Sequence, residues 1–239
     1  MANIVLVHGA WHGGWCYRDA AQVLRAAGHT VFTPTLSGVG ENFHQSSRDI
    51  TLETHVRDVC GVIEAEELND VILCGHSYGG MVITGVADRL RGRIKAMAYL
   101  DAFLPKAGDS LISLLKVALP PEVAAVFLGA FHSNPDGLVA PIPAEMFGIR
   151  AENRAWVDRR CVVQPLATFE LPLLLSHPAH DPTVPRLYIL ADTWEPSPFR
   201  HFAKQVDGQP GWRLAKVACG HDVMVDEPAE LARLLETLV

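Results

Sequence analysis

One stretch of the chain places a hydroxyl where backbone geometry could make it a nucleophile. The apolar run Val71-Ile72-Leu73-Cys74 enters Gly75-His76-Ser77-Tyr78-Gly79-Gly80 and then a helical run from Met81 to Leu90. This is G-x-S-x-G between a strand and a helix, the context in which the pattern carries chemistry. A serine on so sharp a turn needs small residues two before and two after it, so that neighbouring chains do not collide. The helix N-terminus behind it favours a developing negative charge. A neutral hydroxyl is a poor nucleophile, so Ser77 needs a base and a carboxylate that orients the base.

The base expected is His221, in Cys219-Gly220-His221-Asp222, which lies between the last strand-like run and the last helical run. The acid has two candidate places. Asp101 ends the apolar run in Tyr99-Leu100-Asp101-Ala102, while Asp192 and Glu195 follow another in Ala191-Asp192-Thr193-Trp194-Glu195. Asp101 is preferred; the other two stay open. Two backbone donors must receive the oxyanion. The chain after the first strand, His8-Gly9-Ala10-Trp11-His12-Gly13-Gly14-Trp15, supplies one, because Gly9 permits close approach. The donors assigned are the N–H groups of Ala10 and Tyr78. His8 and His12 have the i, i+4 spacing of metal ligands, but they fall on a strand end and a glycine-rich loop with no third ligand nearby, so no metal is expected. His8 is expected to brace the loop. Trp11, Trp156 and Trp194 are candidates for the pocket wall or for core packing.

These residues need a frame that brings distant segments together. Short, largely apolar rather than alternating runs at 3–7, 30–32, 71–74, 95–100, 186–190 and 213–217 read as strands buried on both faces. Helical patterns at 17–27, 52–65, 78–90, 199–206 and 228–238 alternate with them. Gly28 ends the first and Pro228 begins the last, as cap chemistry prefers. Strand–helix alternation of this kind predicts an α/β class with a parallel, doubly wound sheet in one domain spanning 1–239. A proline-rich stretch at about 103–185 breaks the rhythm and is expected to be an insertion that caps the sheet's end. Within it Leu111, Leu114, Leu115, Ala118 and Leu119 form one apolar stripe, and Val123, Val126 and Phe127 another.

Composition narrows the function classes. The chain has 239 residues, 49% of them hydrophobic, and a formal net charge of −7. An acidic surface repels phosphate backbones and anionic lipid, so neither nucleic acid nor a membrane is expected as a partner. No basic leader precedes the first strand, and no apolar run approaches the ~20 residues that span a bilayer. Five scattered cysteines form no C-x-x-C pair. The expectation is a cytoplasmic protein with reduced thiols and no cofactor. Its oligomeric state stays open, with a homodimer among the options.

The same segments resemble the hydroxynitrile lyase and methylesterase branch of the α/β hydrolases, and most of all its bacterial esterases that hydrolyse pyrethroids and benzimidazole carbamates (carbendazim). The resemblance covers nearly the whole chain. It rests on His8 to Trp15, the Ser77 turn, Tyr99-Leu100-Asp101-Ala102-Phe103-Leu104-Pro105, Gln164-Pro165-Leu166-Ala167-Thr168-Phe169 and Gly220-His221-Asp222. It implies the α/β-hydrolase fold: a mostly parallel six-stranded sheet, helices on both faces and a small helical cap. It also implies a serine carboxylesterase working through an acyl-enzyme on small apolar or aromatic esters or carbamates. Two departures matter. Many members of the branch carry an aspartate where this chain places Trp194, which is part of the case for Asp101. The lyases carry threonine and lysine where this chain has Gly9 and Asp222, so no cation is at hand for a cyanide leaving group. A lyase and a non-catalytic ligand-binding protein are the competing readings.

Overall fold

The computed structural model describes residues 1–179 and 181–239; residue 180, inside the expected insertion, lies outside the described residues. Among the described residues eight strands form: β1 (Asn3–Val7), β2 (Thr30–Phe32), β3 (Val71–Ser77), β4 (Ile94–Ala102), β5 (Leu138–Val139), β6 (Gln164–Pro165), β7 (Arg186–Ala191) and β8 (Trp212–Val217). Six of them make one sheet in the order β2-β1-β3-β4-β7-β8, and every pairing in it is parallel. β3 and β7 are buried along their lengths, save that Ser77 at the end of β3 is half-buried. This matches strands covered on both faces, for which continuous apolar runs are the signature, whereas the edge strands β2 and β8 are partly exposed.

Helices α1 (Arg18–Ala26), α2 (Leu52–Ala65), α3 (Gly79–Arg89) and α8 (Phe199–Val206) connect strands, while α9 (Val223–Asp226) and α10 (Pro228–Glu236) follow β8. Between β4 and β7 lie α4 (Leu111–Ala118), α5 (Pro121–Phe131), α6 (Ala151–Asp158) and α7 (Ala167–Glu170). α1 packs on α10 and α2 on α3. Thr51 caps α2 with a reciprocal box to Thr54, and Ser110 does the same for α4 with Ser113.

Three details depart from the pattern-based expectation. β3 runs on to Ser77 and β4 to Ala102, because the parallel pairing continues to Ser77 opposite Ala102 after a register shift at His76/Ser77. The nucleophile candidate and Asp101 therefore stand on the ends of adjacent strands. β5 and β6 form a small antiparallel pair that two residues per strand are too few to announce. Of the stripe expected on α5, Val123 and Phe127 are half-buried but Val126 is 73% exposed, and the helix buries Ala124 and Phe131 instead. α5 is apolar around most of its circumference, so periodicity does not single out its inner face.

Candidate active site

Ser77 adopts φ +53°, in the left-handed region that non-glycine residues rarely occupy. Holding it there costs about 1–3 kcal/mol, which the surrounding close packing sustains. A Cβ on Gly75 would lie 2.5 Å from Gly79 O, so the turn closes only without one. A Cβ on Gly9 would come within 3.0 Å of Ser77 Cβ and 2.7 Å of His76 Nδ1, so the loop after β1 is pressed onto the serine. That loop is tied down on several sides. His8 Nε2 accepts from Leu36 N–H at 3.1 Å, and Trp11 N–H donates to Gln164 Oε1 at 3.2 Å. His8 therefore braces the loop, and burial lowers its pKa to about 3, which keeps it neutral.

His221 sits on the loop between β8 and α9. Its Nδ1 faces Asp101 Oδ2 at 2.7 Å, and its ring stacks on Phe199 with centroids 4.9 Å apart and planes 7° apart. Asp101 is fully buried and takes two further hydrogen bonds, from Ala191 N–H at 3.1 Å and from the Trp194 indole N–H at 3.0 Å. Burial pushes Asp101 well above the usual carboxylate range, against those donors, and pushes His221 down to about 4. Burial thus makes both members costly to charge, and the two titrate as one pair. Asp192 and Glu195 lie elsewhere: both pair with Arg200, and Glu195 is well exposed.

A second buried pair lies beside the first. His12 Nε2 meets Asp222 Oδ2 at 3.0 Å, and His12 Nδ1 meets Ala10 O at 2.7 Å. Burial alone would lower His12, but Cys161 and Asp222 beside it hold it well above 6.5. Burial alone would raise Asp222, but His12 holds it well below the usual range. His12 is therefore an imidazolium that joins the loop of Ala10 to the loop of His221. The sequence did not announce this contact, since 210 residues separate its partners. Donor atoms of His76, His221 and Asp222 lie within 4.8 Å of one another and could hold a metal ion. Asp222 Oδ2 is engaged by His12, His76 Nε2 by His221 O, and His221 Nδ1 by Asp101.

Ser77 and His221 open on one cleft enclosing about 430 Å³, part of it open to solvent. Its walls come from the core and from the segment between β4 and β7: Trp11, Leu111, Leu115, Phe127, Phe131, Phe147, Phe169 and Trp194. Ala10 lines it too, while Tyr78 begins α3 with its hydroxyl turned away to His55 Nδ1 at 2.9 Å. Of the three tryptophans singled out, Trp11 and Trp194 reach the cleft. Trp156 lies instead against Trp15, with Arg160 4.5 Å and Arg18 5.2 Å from its ring.

A family model described as alpha/beta hydrolase family matches residues 4–234. The chain belongs to this family. A carbendazim hydrolyzing esterase of Nocardioides sp. (strain SG-4G) is 62% identical to it, over all of both chains. Methylesterase 7 of Arabidopsis thaliana is 27% identical over 61% of this chain and 56% of its own. Among solved structures, an extracellular alpha/beta-hydrolase from a Paenibacillus species superposes with TM-score 0.82 at 24% identity, covering 100% of this chain and 99% of that one. A pyrethroid hydrolase from Sphingobium faniae JZ-2 does so with TM-score 0.73 at 22% identity, covering 99% and 96%. At these identities the two structures establish the fold alone. The alpha/beta hydrolase described here is thus an enzyme of esterase type. No helix among its described residues is long and apolar enough to cross a membrane.

Proposed function

We propose that this hydrolase cleaves small uncharged esters or carbamates with an aromatic or apolar body, by two-step acyl transfer through Ser77. The observation that carries the reading is the 2.7 Å contact of His221 Nδ1 with buried Asp101, beside a serine held at positive φ in the same cleft. Ser77 Oγ attacks the carbonyl carbon as His221 Nε2 takes its proton. Asp101 fixes the imidazole tautomer and balances the imidazolium. The N–H groups of Ala10 and Tyr78 receive the oxyanion, each worth on the order of 3 kcal/mol in the transition state. His221 then gives its proton to the departing alcohol or amine. Water attacks the acyl-enzyme with His221 again as base, and the acid leaves as Ser77 recovers its proton. These steps use only the chain's own groups and water.

Several features support the substrate class. The walls are aromatic and aliphatic, which suits a neutral ring and disfavours a charged one. The segment at 103–185 acts as a cap in this reading, with Leu111, Leu115, Phe127, Phe131 and Phe169 closing over the acyl carbon. The name of the 62%-identical relative points to a carbamate carried on a flat aromatic system. Asp222, where the lyases of the branch carry lysine, is an anion paired with His12, which speaks against retention of cyanide.

The test is labelling with a fluorophosphonate followed by intact mass and peptide mapping. One adduct is expected on Ser77 and none on Ser77→Ala, which should also lose turnover of p-nitrophenyl esters and of an aryl methyl carbamate. Turnover retained by Ser77→Ala would end the proposal.

A further inference from the structure

The cleft offers the second nucleophile of the proposed reaction almost nothing but apolar wall. Among the described residues that line it, only Ser77 and His221 carry a side-chain group available to hold a water. The two indole N–H groups are committed elsewhere, Trp11 to Val139 O at 3.1 Å and Trp194 to Asp101 at 3.0 Å. Apolar walls hold water poorly and hold rings well.

We infer that the enzyme is also an acyltransferase toward alcohols that carry an aromatic ring. The inference rests on the acyl-enzyme proposed above. The alcohol oxygen attacks the acyl carbon of acyl-Ser77 while His221 takes the alcohol proton. The bond from the acyl carbon to Ser77 Oγ then breaks, and His221 returns the proton to Oγ. A new ester leaves, nothing is oxidised or reduced, and the alcohol takes the place of water. For an alcohol at about 10 mM to rival water at about 55 M, its attack must be favoured roughly 5,000-fold; burying one aromatic ring against these walls supplies roughly 30- to 2,000-fold, which makes the new ester a minor but measurable product. Methanol has the same reacting oxygen and no ring, so it gains little.

The experiment supplies wild-type enzyme with a p-nitrophenyl ester and about 10 mM benzyl alcohol or methanol, and measures free acid and new ester by chromatography. Both products come from one acyl-enzyme, so their ratio does not depend on the amount of active protein. The benzyl ester should reach roughly half a percent to a quarter of total product, and the benzyl-to-methyl partition should exceed about 30-fold. Phe127→Gln, on half-buried α5, should lower that partition about tenfold or more by wetting the wall. Equal partition for the two alcohols, with hydrolysis intact, overturns the transfer activity and leaves the esterase reading standing. Absence of any acyl-enzyme overturns both.

Discussion

Trp194 donates its indole N–H to Asp101 Oδ2 at 3.0 Å, and that oxygen is also the one that faces His221 Nδ1 at 2.7 Å. The ring of Trp194 lies 5.0 Å from the imidazole and forms part of the cleft wall. One side chain thus shapes the pocket and supports the buried carboxylate. Trp194→Phe keeps most of the ring and removes the donor. A hydrogen bond to a charged group is worth about 1.5–3 kcal/mol, so kcat should fall at least roughly tenfold with KM changed only a few-fold. Trp194→Ala should raise KM as well. Steady-state kinetics on both variants separates the two effects; an unchanged kcat in Trp194→Phe would deny the donor its role.

Asp101→Asn should lower kcat by on the order of 10³–10⁴, because an amide cannot hold the imidazole in the required tautomer. Asp192→Asn and Glu195→Gln, which release Arg200 at the surface, should stay within a few-fold of wild type. The reverse pattern of rates would move the acid to the loop after β7.

The His12–Asp222 pair predicts a coupled stability effect. Removing one partner leaves a buried charge uncompensated, at a cost of about 3–5 kcal/mol. His12→Gln and Asp222→Asn should each be strongly destabilising in urea unfolding, and the double variant should cost less than their sum by more than about 1 kcal/mol. Simple additivity would show that the two loops are joined by packing alone.

Several buried histidines set a pH dependence of stability. Burial lowers His8 to about 3, and lowers His55 and His76 as well. Their folded pKa values lie below the unfolded 6.5, so in acid the unfolded chain binds more protons and stability is lost as pH falls through 6.5. His8 alone accounts for roughly 3 kcal/mol by pH 4.5. Thermal melting from pH 8 to 4.5 should show a steep decline below 6.5; a flat profile would mean that these rings reach water.

Activity should persist to lower pH than a free imidazole allows. With His221 lowered to about 4, the acid limb of kcat/KM should fall near pH 4 rather than 6.5. A limb centred at 6.5 would place the base in a wetter setting than the packed rings of Phe199 and Trp194 provide.

The strand–helix alternation, the turn at Ser77 and the loop at His221 were legible in the chain itself. Each is a local matter: continuous apolar runs for strands covered twice, glycines where backbones touch, a histidine between a strand and a helix. Which carboxylate meets the imidazole was not local. Asp101 and Asp192 stand at the ends of neighbouring strands β4 and β7, and only parallel register and side-chain direction put one against His221 and the other against Arg200. The same holds for Trp194 on Asp101, for His12 on Asp222, and for which tryptophans reach the cleft. Periodicity tells a side chain which face it belongs to. It carries no information on what another segment, up to 210 residues away, brings to that face, and three-dimensional packing alone decides that.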